Sequence, residues 1–312
     1  MLSERYNKQK DNPDGTLRGE LLNEMAALCV QDSTCREKAA KLFEKLFVEA
    51  LRDESNFVRE AAVDGLTYIN RTNALKLLRT DFINDPSIKL REKIIALADA
   101  VGGKKDLNWL AEKIGVNSES DPAWQAMLKI FTGSDTGVLK EWMDKLTAQS
   151  GKIKLSDEQK IDFLEIAENA KGNSEYMPEI REKLAGLYYK TGQYEQAADY
   201  LGILYEMATP EGKKAILPNL LDACLKGAKP ERTAELVKSC LTEGDLDPNS
   251  IVVQTINNYF SKPPVGADPN EVLKVLVAVK VPQGRPQWNQ QLKKWADLLG
   301  KAKEPDKPKS AE

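Results

Sequence analysis

Histidine is absent from all 312 residues, and this absence excludes a large part of enzyme chemistry. Ser-His-Asp and Cys-His sites need an imidazole to accept the proton of the nucleophile, so neither can be built here. Zinc sites with histidine ligands and the two-histidine iron site are excluded for the same reason. Carboxylate, lysine, tyrosine and single-cysteine chemistry remain, but no set of such residues predicts a reaction. We therefore expect no enzyme activity, no cofactor and no bound metal.

Cysteine is scarce, with only Cys29, Cys35, Cys224 and Cys240. None of them forms the C-x-x-C spacing of zinc and redox sites. Cys29 and Cys35 are too far apart to be bridged on one helix, although a turn near Asp32 would bring them together, and Cys224 and Cys240 fall on neighbouring predicted helices. We expect four small buried or half-buried thiols, since free cysteine behaves as a small hydrophobe. The sequence does not decide whether Cys29 is bridged to Cys35 or Cys224 to Cys240.

Long apolar runs and an excess of one charge are missing as well. No stretch approaches the roughly 18 apolar residues of a spanning helix, and the first residues lack the apolar core of a secretory signal. The sequence thus predicts no membrane span and, by default, a cytoplasmic location, or the cell envelope or secretion if a signal peptide has been removed. The net charge of −3 gives no general attraction to nucleic acid.

Helical spacing of apolar residues, in contrast, is present almost throughout. In Glu37–Leu51, Ser87–Val101 and Gln193–Glu206 the apolar residues recur at i, i+3, i+4 and i+7, which marks one face of a helix. Asp-Pro pairs indicate helix starts, with aspartate as the cap and proline at the first helical position. These pairs are Asp85-Pro86, Asp121-Pro122, Asp247-Pro248 and Asp268-Pro269. The pattern predicts an all-α fold, an α–α superhelix (solenoid) of stacked helical hairpins.

One repeated motif lies in the first half of the chain. Residues 53–62, DESNFVREAA, recur as residues 85–94, DPSIKLREKI, and more weakly from Asp121. The motif resembles the HEAT repeat of armadillo-type folds, in which a turn aspartate opens the second helix and a Val-Arg pair follows. The resemblance implies that aspartate and arginine link successive repeats by side-chain hydrogen bonds. It thereby assigns structural roles to Asp53, Arg59, Asp85 and Arg91.

A second motif lies in the other half. Residues 184–197, LAGLYYKTGQYEQA, look like a tetratricopeptide repeat, with Tyr188 and Ala197 at expected structural positions. Arg181 and Leu204 depart from that pattern, since a large apolar residue and an alanine are usual there. A weaker copy follows 37 residues after Leu184, with Leu221, Leu225 and Ala234 in matching places, and a degenerate third copy is expected over residues 247–281.

These motifs predict the organisation of the chain. Both ends are polar, and we expect residues 1–16 and 301–312 to be disordered. Between them we expect HEAT-like repeats over residues 17–133, linking helices over 134–173 with a seam at Gly151, and tetratricopeptide-like repeats over 174–300.

Four residues are candidate contacts for a partner. Trp109 lies about 200° around its helix from the apolar Leu107, on the opposite side, which makes it a candidate contact residue. Packing on an adjacent repeat is the favoured alternative, because the helices of a solenoid are touched from two sides. The tetratricopeptide resemblance implies that Glu182, Tyr189 and Lys190 flank a peptide groove. The Asn and Lys set that clamps a peptide carboxylate in some members of that family is not visible here.

The leading hypothesis is a non-enzymatic scaffold or adaptor that binds a protein or peptide on the concave face of a solenoid, because stacked repeats present a long surface without a deep cavity. The alternative is an enzyme or nucleic-acid-binding protein on a HEAT-like frame, as in alkylpurine DNA glycosylases, which are similar at the level of fold only. The acidic balance of residues 1–260 and the missing histidine disfavour that alternative.

Overall fold

The structure is a computed structural model that describes residues 2–30, 33–148, 152–243, 250–279 and 286–302. Within these ranges the regular structure is α-helix, apart from one 3₁₀ turn, and no strand occurs. The predicted all-α class is therefore confirmed. The chain forms two compact units, unit 1 up to residue 156 with residues 169–171, and unit 2 over residues 157–168 and from residue 172 onward.

Unit 1 consists of helical hairpins. Its described helices are α1 Leu2–Lys8, α2 Thr16–Leu28, α3 Ser33–Ala50, α4 Asn56–Ile69, α5 Arg71–Asp81, α6 Ile88–Val101, α7 Leu107–Glu112, α8 Ser120–Thr132 and α9 Thr136–Thr147, with the 3₁₀ turn Asn117–Glu119 before α8. Helices α2, α4, α6 and α8 pack on one another in that order, and α4, α6 and α8 each pack on the helix that precedes them. These helices thus bury their apolar faces on helices close to them in sequence, as expected of stacked repeats.

The N-terminus differs from its prediction. Residues 1–16 are expected to be disordered, yet α1 forms and buries the ring of Tyr6. The physical reason is that Arg18 on α2 donates hydrogen bonds to the carbonyls of Gln9, at 3.3 Å, and Asn12. These bonds hold a polar segment whose composition alone does not predict order.

Three ion pairs, called here the arginine ladder, join the successive helices of unit 1. Arg18 on α2 binds Asp53 ahead of α4 at 2.9 Å, and Arg59 on α4 binds Asp85 ahead of α6 at 2.9 Å. The predicted link between aspartate and arginine of successive repeats is thereby confirmed. Each arginine reaches forward by one repeat, so these charges are balanced inside the stack.

The third pair of the ladder is Arg91 with Glu119, at 2.7 Å. Asp121, which opens the third copy of the motif in the sequence, instead lies exposed in the first turn of α8. The 3₁₀ turn brings Glu119 to the place that aspartate occupies in the other repeats. Lys113 Nζ lies 3.4 Å from the second carboxylate oxygen of Glu119, so this buried acid faces two cations.

The ladder lowers the pKa of two of its acids. Burial alone would raise the pKa of Asp53 and Glu119, because a carboxylate is less stable away from water. Burial is the largest single influence on each acid, but the lowering influences together outweigh it. For Asp53 these are the hydrogen bonds from Arg18 and from the amide of Ser55 together with the nearby arginine charges, and for Glu119 they are the hydrogen bonds and charges of Arg91 and Lys113, so the pKa of each carboxyl falls below its ordinary value. Both acids are therefore ionised ion-pair partners at neutral pH.

Unit 2 is a second stack of helices. Its described helices are α10 Asp157–Asn169, α11 Met177–Lys190, α12 Tyr194–Met207, α13 Pro210–Lys226, α14 Pro230–Glu243, α15 Ile251–Ser261, α16 Pro269–Val277 and α17 Pro286–Ala302. Helix α12 packs on both α11 and α13, and further along α13 packs on α15, α14 on α16, and α17 on both α15 and α16.

The predicted linking segment 134–173 does not form a unit of its own. Helix α9 belongs to unit 1, whereas residues 157–168 of α10 belong to unit 2. The hydroxyl of Tyr188 on α11 donates to Glu165, and that of Tyr200 on α12 donates to Glu168 at 2.6 Å, so α10 is tied to the first hairpin of unit 2. The predicted seam at Gly151 and residues 303–312 of the predicted tail lie outside the described residues, and α17 extends to Ala302.

The turn between α11 and α12 depends on a glycine. Gly192 has φ +79°, a left-handed conformation that glycine adopts without strain. The amide of Gln193 donates to the carbonyl of Tyr188 at 2.8 Å, and that of Gly192 donates to Tyr189 at 3.2 Å. These two bonds form a Schellman motif, which ends α11 and turns the chain back as α12.

The predicted Asp-Pro helix starts are only partly right. Asp268 caps α16 and accepts the amide of Asn270 at 2.9 Å, with Pro269 at the first position. Asp85 instead lies two residues ahead of the cap of α6, which is Ser87, because its carboxylate binds Arg59. Asp121 lies inside α8, and Asp247-Pro248 is outside the described residues.

The cysteines whose side chains are described, Cys29, Cys224 and Cys240, are buried, as predicted. Burial raises the pKa of Cys224 to about 11, and this residue is a free thiol. The bridge from Cys224 to Cys240 is therefore not formed. The side chain of Cys35, and with it the question of a bridge to Cys29, lies outside the described part of the chain.

Candidate functional site

Helices α11, α12 and α13 of unit 2 enclose a groove with a volume of about 870 Å³. Most of its lining side chains are apolar. The lining residues are Pro178, Glu179, Glu182, Ala185, Gly186, Tyr189, Leu201, Leu204, Met207, Ala208, Ala215, Ile216 and Asn219. A groove of this size with an apolar lining and a few polar groups is the usual form of a binding site for a small ligand or a peptide.

One face of α11 forms the first wall. Glu179, Glu182, Gly186 and Tyr189 are three, four and three residues apart, which places them on one side of a helix. The opposite side of α11 carries the buried Leu184 and faces the core. The apolar side of α11 thus packs on the core, and the side with Glu182 and Tyr189 is left to line the groove.

The floor and the second wall are apolar. Helix α12 contributes Leu201, Leu204 and Met207, and α13 contributes Ile216 and Asn219. Leu201, Leu204 and Ile216 are half-buried, and Met207 is 64% exposed. Covering apolar side chains that remain partly in water stabilises a complex by roughly 25 cal/mol per Å² of apolar area buried.

Gly186 makes a notch in the α11 wall. It lies in the middle of a helix, where glycine costs about 0.5 to 1 kcal/mol relative to alanine. A Cβ placed there would meet nothing within 4 Å, so packing does not require glycine at this position. The absent side chain widens the groove one helical turn from Tyr189.

Tyr189 spans one end of the groove. Its hydroxyl donates to Asp222 on α13 and accepts from Lys226 Nζ at 2.6 Å, and its ring packs edge-on against Tyr194 at 5.3 Å. Burial and the hydrogen bond to Asp222 raise the pKa of the Tyr189 hydroxyl, so it stays protonated as a donor. We call this the tyrosine end of the groove.

The opposite end carries two carboxylates. Glu179 lies 3.4 Å from Lys183 on the same helix, so part of its charge is balanced. Glu182 is exposed and makes no hydrogen bond or ion pair with any residue that the structure describes. Lys226, at the tyrosine end, is held by Asp222 at 2.7 Å. Glu182 is therefore the uncompensated charge of the groove lining.

Of the three predicted contact residues of unit 2, two line the groove and one does not. Glu182 and Tyr189 lie together in the groove lining. Lys190 does not line the groove: it lies on the exposed side of α11 and pairs with Asp157 at 2.6 Å. The structural residues Tyr188 and Ala197 are buried, and the ring of Tyr188 stacks on Tyr200 at 5.7 Å.

Trp109 does not face outward, so its predicted role as a surface contact is wrong. It is only 7% exposed, and its Nε1 donates to the buried carboxylate of Asp106 at 3.1 Å. Asp106 also pairs with Arg79 of α5 at 3.4 Å. The short helix α7 is buried on two sides, the alternative kept open in the sequence, and counting around a single helix cannot reveal the second side.

Other features of the described residues are less informative. A smaller cavity of about 540 Å³ lies between α3, α4 and α5 of unit 1, with charged Glu44, Lys76 and Asp81 among its lining residues. No group of three or more cysteine and carboxylate side chains is placed to hold a metal ion within the described ranges. None of the helices in those ranges combines the length and the apolar content that crossing a bilayer requires.

Several groove residues were not predicted from the sequence. Leu201, Leu204 and Ile216 resemble core residues in the sequence, and only the packing of α11, α12 and α13 shows that they are half-buried beside a groove. The sequence signal for Gly186 is a glycine in the interior of a predicted helix, where it lowers helix stability and points to a packing or functional reason.

Comparison with known proteins adds little to this description. No protein-family model matches the chain, and no curated protein matches it in sequence. Two crystal structures of engineered proteins from the Northeast Structural Genomics Consortium are similar at 13% sequence identity. One covers 96% of this chain and 77% of its own length with a TM-score of 0.37, and the other covers 94% and 96% with a TM-score of 0.21. Likeness at this level supports no inference about function, and the groove itself must support any proposal.

Proposed function

We propose that the chain is a non-enzymatic scaffold that binds a peptide segment of another protein in the groove between α11, α12 and α13. The observation that carries the proposal is the groove itself, whose apolar floor of Leu201 and Leu204 is left half-open beside a well-buried core. Burying that floor under an apolar side chain supplies the affinity, and the polar groups at the two ends supply orientation.

The alternative, a nucleic-acid partner, fits this groove poorly. Its charged lining residues are the carboxylates Glu179 and Glu182. Phosphate groups are bound by lysine and arginine, and carboxylates repel them. An apolar peptide segment, in contrast, can bury its side chains against the apolar residues of this lining.

The test uses a random heptapeptide library displayed on phage and selected on the full chain. Recovered peptides are then measured against Gly186→Leu, whose new side chain fills the notch. Gly202→Leu is the matched control, because Gly202 also lies in a helix, a Cβ added there would meet nothing within 4 Å, and it is not a lining residue.

We expect selected peptides to bind the wild type and Gly202→Leu alike, and to lose about ten-fold or more of their affinity for Gly186→Leu, since a filled notch can no longer hold the apolar side chain that anchors the peptide. Recovery of no binding peptide, or of peptides that bind Gly186→Leu as well as the wild type, would overturn the proposal.

A further inference from the structure

We infer that the partner of this groove is an extended segment in which a lysine or arginine lies two residues from a bulky apolar residue. The inference rests on the proposed function and adds to it the conformation and the charge of the ligand. Three observations carry it: the narrow tyrosine end, the unpaired carboxylate of Glu182, and the spacing of Glu182 and Gly186 along α11.

Width decides the conformation of the ligand. At the tyrosine end a single side chain, Tyr189 of α11, reaches across to Asp222 and Lys226 of α13. A helix with its side chains is about 10 to 12 Å across, which is too wide to lie between walls that one tyrosine can bridge. An extended strand needs only about 5 Å to its neighbours and fits between them.

Length decides how much of the ligand is bound. The α11 wall runs from Pro178 to Tyr189, which at 1.5 Å per residue is about 16 Å. An extended chain advances about 3.3 Å per residue, so the groove holds about five residues.

Charge decides the second anchor. Glu182 has no partner among the described residues, Glu179 is only partly balanced by Lys183, and the lining contains no basic side chain within the described part of the chain. A lysine or arginine of the ligand placed there would form the missing ion pair, whereas an acidic residue would be repelled.

Spacing relates the two anchors. Glu182 and Gly186 are four residues apart on α11, which is about 6 Å along the helix axis. In an extended ligand, residues two apart lie on the same face at about 6.6 Å. An apolar side chain in the notch therefore places the residue two positions away beside Glu182.

Two fluorescein-labelled pools of capped pentapeptides test the inference. Both have leucine at position four and random uncharged residues at positions one, three and five. Position two is lysine in one pool and glutamate in the other. Binding to the full chain is measured by fluorescence anisotropy at low and high salt. The variants are Glu182→Gln, Glu182→Lys and, as a matched loss of charge on an exposed acid of α13 outside the lining, Glu211→Gln.

We expect the lysine pool to bind the wild type and Glu211→Gln about five-fold more tightly than the glutamate pool, with a smaller difference at high salt. Glu182→Gln should remove most of the difference, and Glu182→Lys should invert it. Equal binding of both pools that Gly186→Leu still abolishes would overturn this inference and leave the proposed function standing. Failure of both pools to bind, while the selected heptapeptides do bind, would likewise overturn this inference alone. Binding of the pools that Gly186→Leu does not weaken would overturn both.

Discussion

Two glycines in the middle of helices, one in each unit, have opposite surroundings. A Cβ on Gly65 of α4, in unit 1, would lie 2.4 Å from the ring of Phe47, which is fully buried on α3. A Cβ on Gly186 of α11, in unit 2, would meet nothing. Gly65 thus lets α3 and α4 approach closely, whereas Gly186 leaves space that the fold does not fill.

The polar residues of the two units differ in the same way. In unit 1 the arginine ladder balances its charges between repeats, and the residues of the repeated motif are therefore not available to a partner. In unit 2 the hydroxyls of Tyr188 and Tyr200 bind carboxylates, and Glu182 remains unpaired beside an apolar groove. A binding site is therefore expected beside an unpaired group such as Glu182, and not at the motif residues that pair with one another inside the stack.

The largest expected effect comes from breaking the ladder at its centre. Arg59→Ala leaves the buried carboxylate of Asp85 without its cation, and should lower the free energy of unfolding by about 3 to 5 kcal/mol. The matched variant in unit 2 is Arg232→Ala, which removes more exposed pairs with Glu206 and Glu235 and should cost about 1 kcal/mol or less. Urea unfolding followed by circular dichroism measures both. Equal losses would contradict the contrast between the units.

The two glycines give effects of opposite sign. Gly65→Ala should destabilise the protein by about 1 to 3 kcal/mol, because the new methyl group overlaps the Phe47 ring. Gly186→Ala should stabilise it by about 0.5 to 1 kcal/mol, because alanine favours the helix and meets no neighbour. Thermal and urea unfolding of both variants measure the two changes in stability. A loss of stability in Gly186→Ala would show that the notch is packed.

Acid and alkali should weaken different contacts. The pKa of Glu119 is lowered in the fold, so its contribution to stability is present above its ordinary value of about 4 and is lost as the pH falls below it. The pKa of Tyr188 is raised by burial and by its bond to Glu165, so its contribution is present below about pH 10 and is lost as the pH rises further. These effects are smaller than those of the substitutions above.

Variants separate the two pH effects. Glu119→Gln should flatten the dependence of the urea midpoint on pH in acid and leave the alkaline side unchanged, and Tyr188→Phe should do the reverse. Tyr6 of unit 1 has a raised pKa and Asp157 of unit 2 a lowered one, so the wild-type curve alone does not separate the units. Identical pH profiles for the two variants would contradict the assignment.

Much of the fold was predictable from the sequence, because helix formation depends on local spacing and the resemblance to HEAT repeats implied the link between aspartate and arginine of successive repeats. Apolar residues at helical intervals predicted the all-α class, and the Val-Arg motif predicted the bond from Arg59 to Asp85. The order of α1 and the burial of Trp109 were not predictable in this way, because both depend on packing and hydrogen bonds that form only when neighbouring helices come together.

The groove was predicted only in part. Glu182 and Tyr189 were expected there, through the resemblance to tetratricopeptide repeats, and they lie there. Lys190 was expected with them, but one residue is a turn of about 100° on a helix, and that turn carries it to Asp157. Gly186 lacks a side chain, so a search for reactive or charged residues passes over it.

The most direct test of the central claim, that unit 2 binds a peptide in the groove beside Gly186, is the affinity of one selected peptide for three proteins. Anisotropy titrations should give equal dissociation constants for the wild type and Gly202→Leu, and a constant at least about ten-fold larger for Gly186→Leu. Equal affinity for all three proteins would contradict the account, because it would place the peptide somewhere other than this groove.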